Sequence, residues 1–225
     1  MALADYQALI DDLVRDDTGK ITTADRDEAI ARAVARYGKD RPRIKVEDVV
    51  APGGNYLSLP AGWQSSFSAI RYIEHPVGNR PATLLDQDSY ALYDGPSASE
   101  IQLIDAINAG QSVRVNYTIR HTVDGSTDST PADDREAVSC WAGALLLDQL
   151  AAWFTGSSDS SIQADSVDRR SKGGDYAARA GKLRKRYHDE LGIDERKNVA
   201  AGVIVDLDTA DSQGNDRLLH PRRYR

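Results

Sequence analysis

The chain has 225 residues, with 28 Lys+Arg against 35 Asp+Glu and a formal net charge of −7; 40% of residues are hydrophobic and 28% are charged. That length carries one or two domains with a real core. The acidic balance disfavours a nucleic-acid coat or an anionic-membrane binder, since both work by neutralising phosphate with Lys and Arg.

The opening segment reads as a helix, with Leu3, Tyr6, Ile10 and Leu13 recurring at spacings of three and four. Asp16-Asp17-Thr18-Gly19 supplies turn chemistry to end it. Met1 to Tyr6 lacks a basic stretch followed by an apolar one, so no secretory signal is expected, and first folding in a cytoplasm is. Thr22-Thr23-Ala24-Asp25 has the form of a capping box for a second helix. Ile30, Val34 and Tyr37 give that helix an apolar stripe, and Gly38 is expected as its C-terminal cap before Arg41-Pro42-Arg43.

From Ile44 to His121 the period changes. Pro and Gly recur between short apolar runs, as at Pro52-Gly53-Gly54 and Gly95-Pro96. Val113, Val115, Tyr117 and Ile119 alternate with Ser112, Arg114, Asn116, Thr118 and Arg120, which predicts a strand with one buried and one wet face. Ile101-Gln102-Leu103-Ile104 precedes it across Asn108-Ala109-Gly110, a spacing that predicts a hairpin with a longer loop. Ile44-Lys45-Val46 and Phe67 to Ile73 are further strand candidates.

Asp124 to Thr130 is a polar loop. Pro131 and Asp133 then open the longest helix, to about Phe154, apolar nearly all round and so expected at the centre of a bundle or under neighbouring subunits. It holds the single cysteine, Cys140, whose apolar setting predicts a buried small hydrophobe; one cysteine excludes an internal disulfide and a cysteine-built zinc site. No uninterrupted apolar run of membrane-spanning length occurs, so no span is expected. A Ser-rich break, Gly156 to Ser161, precedes a last helix from near Gly174 to Gly192. Tyr176, Ala180, Leu183, Tyr187 and Leu191 take one face of it, and Arg179, Lys182, Arg184, Lys185 and Arg186 largely cover the other.

Beyond Gly192 the apolar content is too low for independent folding. One alternating segment, Val203 to Leu207, stands out, as does the close, Leu218-Leu219-His220-Pro221-Arg222-Arg223-Tyr224-Arg225. The fold expected is α+β: a bundle of about four helices (1–41 and 131–193), an inserted small antiparallel β domain (42–130), and an extended C-terminal tail (194–225).

Signals for chemistry are sparse. His75, His121, His188 and His220 are scattered without metal spacing. His188, near a helix end, reads as an exposed imidazole that suits the helix dipole. Gly19-Lys20 lacks the glycine and the preceding strand of a phosphate loop, and no Gly-x-Ser-x-Gly elbow is present. No nucleophile, base and oxyanion donor come together, so neither an enzyme nor a cofactor is expected. The cations of the last helix and the terminal arginines leave a nucleic-acid-binding module as one alternative.

In the last two helices, the apolar helix, the Ser-rich loop, Ile162 to Val167, Ser171-Lys172, Tyr176, Ala180, Leu183, Tyr187 and Leu191-Gly192 form a pattern. So do Ile21-Thr22, Ala29-Ile30, Ala33 and Tyr37 near the start. This pattern resembles the head–tail connector (adaptor, or head-completion) proteins of tailed bacteriophages. The resemblance implies a structural ring, generally of twelve copies, docked below the portal protein in the neck of the virion and assembled in the host bacterial cytoplasm. Such a ring extends the channel along which packaged double-stranded DNA passes, binds the next neck or tail protein, and contacts no membrane. In connectors the C-terminal segment commonly reaches the portal or a neighbouring copy. On this sequence Val203, Val205 and Leu207 are expected to add a strand to a neighbour, and Leu218, Leu219, Arg222, Arg223 and Tyr224 to seat in a portal crevice. A stopper or tail-completion ring is the alternative among neck proteins.

Overall fold

The computed structural model describes residues 2–16, 19–96, 98–156 and 172–193. Helix α1 spans Ala2–Val14 and buries Tyr6, Ile10 and Val14, while Leu3 and Leu13 pack at the margin of the same core. Helix α2 spans Thr23–Asp40. Its capping box is formed: the Asp25 amide donates to the Thr22 hydroxyl at 3.2 Å, and the Thr22 amide donates to the Asp25 carboxylate at 2.9 Å. These two bonds satisfy amides that have no partner within the helix; the Thr22 hydroxyl, donating to the carboxylate at 2.6 Å, and then the Thr22 amide hold the Asp25 carboxyl below its usual range. Gly38 is not the cap. The helix continues through it to Asp40, and Gly38 lies buried on the face that meets His121 and Phe67. The stop comes from Pro42, which disfavours helical backbone in the residue before it; Arg41 sits at φ −135°, ψ 79°.

A 3₁₀ turn at Ala132–Asp134 leads into helix α3, Arg135–Gly156. Ala137, Val138, Cys140, Ala142, Ala144, Leu146, Leu147 and Leu150 are all buried. By length and composition α3 is apolar enough to cross a membrane. In the fold that apolarity is met by α1, α2 and the last helix, α4 (Lys172–Leu191), which all pack against it. Gly173 lets α4 approach closely: a Cβ there would lie 2.6 Å from the Thr155 hydroxyl and 3.0 Å from the Ala151 carbonyl oxygen. Ala180, Tyr187 and Leu191 of α4 are buried, and so is His188, against Trp141 and Tyr187. The exposed imidazole expected from sequence is therefore corrected: its helical position turns it toward α3 rather than toward solvent.

Between α2 and α3 lie six strands: β1 (Arg43–Val50), β2 (Gly54–Ser58), β3 (Ile70–Glu74), β4 (Tyr90–Asp94), β5 (Ser99–Ile107) and β6 (Ser112–Ile119). They form two antiparallel sheets ordered β1-β6-β3 and β2-β5-β4. The expected hairpin between β5 and β6 does not form, since the two strands belong to different sheets. Instead β1 and β2 run alongside β6 and β5 as a two-stranded ribbon that bends at Ala51–Gly53 and Asn108–Gln111. The bend is tied by Ala51 N–H to the Gln111 carbonyl (2.8 Å) and Gly110 N–H to the Ala51 carbonyl (2.9 Å). Gly53 makes it geometrically feasible: φ is +100°, and a Cβ would stand 3.2 Å from that of Ala109. The Phe67–Ile73 candidate is strand only from Ile70, after a turn that places Ser66 at φ +67°.

Two apolar cores result. One draws on α1, α2, α3 and α4; the other joins Ala51, Leu57, Ile73, Ile101, Leu103 and Ile107 to the inward row Val113, Val115, Tyr117 and Ile119 of β6. The supposedly wet side of β6 is wet only in part. Asn116 and Thr118 are buried, because β6 is the central strand and Val46 and Tyr72 flank Asn116 from either side.

Candidate interaction surface

Polar contacts gather where the chain crosses between the bundle and the β unit. The Tyr37 hydroxyl donates to Asp134 Oδ2 at 2.5 Å, and Arg41 Nη1 reaches both oxygens of Asp134 at 3.0 and 3.2 Å. Arg41 Nη2 also donates to the Leu191 carbonyl at 2.8 Å, so the ends of α2, α4 and the start of α3 meet at one arginine. The His121 ring lies between the Arg41 carbonyl and the Ser129 carbonyl, 3.0 Å from each. The Tyr187 hydroxyl donates to Asp40 at 2.6 Å. Burial first, then these carboxylates, push the Tyr37 and Tyr187 phenols upward.

Among the described residues no group of three or more His, Cys, Asp or Glu side chains is placed to hold a metal ion. Cys140 is buried in α3, and burial pushes its thiol up to about 11. The cations of α4 are largely committed within the fold. Arg179 donates to the Leu13 and Val14 carbonyls and so closes the C-terminal end of α1. Arg184 pairs with Asp148, and Arg186 with Glu136 and Glu190. Of the five, Lys182 and Lys185 remain on the outer face.

The outer face of the β1-β6-β3 sheet is different. On β1, Ile44 (47% exposed), Val46 (48%), Asp48 and Val50 (64%) turn outward, while Lys45, Glu47 and Val49 turn inward. From Ile44 to Glu47 the usual apolar-in, polar-out phase is reversed. Register with β6 dictates this, since Lys45, Glu47 and Val49 lie opposite the buried Tyr117, Val115 and Val113. Sequence reading identified the strand but not this phase; the signal was the charged pair Lys45 and Glu47 set opposite an apolar row. At the centre of the outer face the side-chain oxygen of Asn116 is buried without a hydrogen-bond partner among the described residues. The neighbouring row is charged: Arg114 pairs with Asp48 (2.7 Å) and contacts Glu74 (3.4 Å).

Glu47 is stabilised where it points. It pairs with Lys45 and accepts from the Tyr117 hydroxyl (2.7 Å) and the Gly62 amide (3.1 Å). Lys45 first, then Tyr117, hold its carboxyl down at about 2, against an ordinary 4.5. A folded-state value below the unfolded one means that its stabilisation is complete above about pH 4.5 and is lost as pH falls toward 2. Glu47→Gln should lower the urea midpoint at pH 7 and make it fall less steeply between pH 4.5 and 2.5, which parallel titrations of both proteins will measure.

Two open clefts lie among the described residues. One, of about 420 Å³, runs between Ala31, Val34, Ala35 and Gly38 of α2 and the segment Arg120 to Asp124. The other, of about 500 Å³, lies on the β2-β5-β4 sheet beside Tyr56, Tyr90 and Gln102. Val203, Val205, Leu207, Leu218, Leu219, Arg222, Arg223 and Tyr224, the contact residues expected from sequence, lie outside the described residues. Neither protein-family models nor curated proteins match this chain. The surface must therefore be read from its own chemistry: an edge strand that turns Ile44, Val46 and Val50 outward.

Proposed function

We propose that this protein is a head–tail connector of a tailed bacteriophage, a structural component of the virion neck that acts without catalysis. Copies of it form a ring, twelve by the resemblance, below the portal; the ring lengthens the DNA channel and offers its far side to the next neck or tail protein. The observation that carries this reading is where the residues behind the resemblance lie. Ala29, Ile30, Ala33 and Tyr37 on α2, and Ala180, Tyr187 and Leu191 on α4, are buried in the core built around α3. A helical bundle joined to a separate β core suits the head-to-tail contacts a closed ring requires, one face of each copy against a different face of the next. The acidic net charge of −7 suits a conduit that lets DNA pass rather than holding it. In the ring, Leu218, Leu219, Arg222, Arg223 and Tyr224 make the portal contact; Arg and Tyr are residue types that anchor interfaces.

The internal commitments of Arg179, Arg184 and Arg186 weigh against the nucleic-acid-binding alternative. Light scattering of the purified protein, alone and mixed with portal rings, tests the proposal. A protein that joins the portal as a ring is the expected result. A stable small dimer that ignores the portal would refute it.

A further inference from the structure

We infer that the outer edge of β1 is a receptor for residues 203–207 of this chain, which add there as a fourth strand to the β1-β6-β3 sheet. The inference deepens the connector reading and rests on it only for which copy supplies the strand.

Four observations select this edge and this occupant. First, β1 ends the sheet, and among the described residues no strand pairs with its far side, whereas the opposite edge, β3, is already covered by Leu85 N–H to the Ile73 carbonyl (2.8 Å) and His75 N–H to the Thr83 carbonyl (3.0 Å). Second, β1 keeps an unbroken register with β6 from Arg43 to Val50, without the bulges that interrupt β2 and β3, so its free amides and carbonyls present a regular ladder. Charged residues aimed inward normally discourage a foreign strand on such an edge, but Lys45 and Glu47 are neutralised by each other. Third, of the side chains turned outward, Ile44, Val46 and Val50 are apolar and exposed, and the one charge in their row, Asp48, is paired with Arg114. Beyond Ile193, Val203-Ile204-Val205-Asp206-Leu207 is the one segment with matching alternation; Val203, Val205 and Leu207 on the same face would extend that stripe by a row.

Fourth, reach is sufficient. Leu191 is held at 2.8 Å by Arg41, two residues before β1 begins, so the chain leaves the described fold beside the start of the receiving strand. Residues 194–202 span at most about 30 Å when extended, and β1 is about 26 Å long. That length serves β1 of the same copy in either direction. The same segment passed to a neighbour is a strand exchange, the element and its receptor being unchanged.

The test uses the full chain with Val46→Cys combined in turn with Val203→Cys, Val205→Cys and Leu207→Cys, oxidised mildly and resolved by non-reducing electrophoresis. Val46→Cys with Ile204→Cys, on the opposite face, serves as the control. Hydrogen exchange at the β1 amides is followed in parallel in the unsubstituted protein and in Val205→Pro, which removes a ladder donor. At least one same-face pair should cross-link in most molecules while the control pair does not, and β1 amides should exchange at least tenfold faster in Val205→Pro. Cross-links between chains support the inference and the ring together. Cross-links within one chain support the inference and count against the ring. No cross-link in any same-face pair, with β1 exchange the same in Val205→Pro, overturns the inference, whether or not the protein joins portal rings.

Discussion

Leu147→Ala is expected to destabilise the protein by about 2–5 kcal/mol, which at this chain length lowers the melting temperature by about 4–20 °C. Leu147 is fully buried in α3, the helix that α1, α2 and α4 all touch, so no single neighbour can move in to fill the space without disturbing the other two. That restriction places the cost in the upper part of the range, since truncation is cheapest where surroundings can collapse. Ile104→Ala is the matched control. Ile104 is 67% exposed on β5, and its loss should stay within about 0.5 kcal/mol. Thermal melts of the three proteins decide the matter, and equal losses for the two substitutions would show that α3 is not the centre of the core.

The part of the fold legible in sequence is the part set by local periodicity. Tyr6 and Ile10, then Ile30, Val34 and Tyr37, then Ala180, Tyr187 and Leu191 repeat at helical spacing, and each set is buried. Thr22 and Asp25 cap α2 because a capping box is complete within four residues. Local pattern misleads wherever a long-range partner decides. Ile101–Ile104 and Val113–Ile119 look like a hairpin because they are adjacent in sequence. Yet the pairs that form are β5 with β2 and β6 with β1, and the bend at Gly53 and Ala109 that enforces them depends on two segments more than fifty residues apart. His188 looked exposed because nothing local says which way α4 faces α3. The phase of β1 is hidden for the same reason: Lys45 and Glu47 face inward because the register sets them opposite Tyr117 and Val115, far along the chain, where Tyr117 supplies a hydroxyl for Glu47. Val203 to Tyr224, on which the expected portal and neighbour contacts fall, has no helical period in its sequence and lies outside the described residues.

Asp134→Ala should cost about 2–3 kcal/mol, more than its partly exposed position suggests. Asp134 accepts from the Tyr37 hydroxyl at 2.5 Å and from Arg41 at 3.0 and 3.2 Å. Of these, the arginine is nearly half exposed and can recover water, so its share is small. Tyr37 is buried, and truncating its acceptor strands a hydroxyl in the core, which costs about 1–3 kcal/mol. The distinction is measurable by a double-mutant cycle. Tyr37→Phe removes the stranded donor, so Asp134→Ala introduced on that background should cost about 1–2 kcal/mol less than on the native one. Arg41→Gln combined with Asp134→Ala should show a much smaller coupling. The two pairs also differ in what they hold. Tyr37 ties α2 to the start of α3 within the bundle, while Arg41 carries the link onward to the Leu191 carbonyl and stands immediately before β1. Loss of the first should appear in global stability. Loss of the second should appear as faster amide exchange around Leu191 and Arg43 with little change in the urea midpoint, because it loosens the point where the β unit joins the helices and leaves both apolar cores intact.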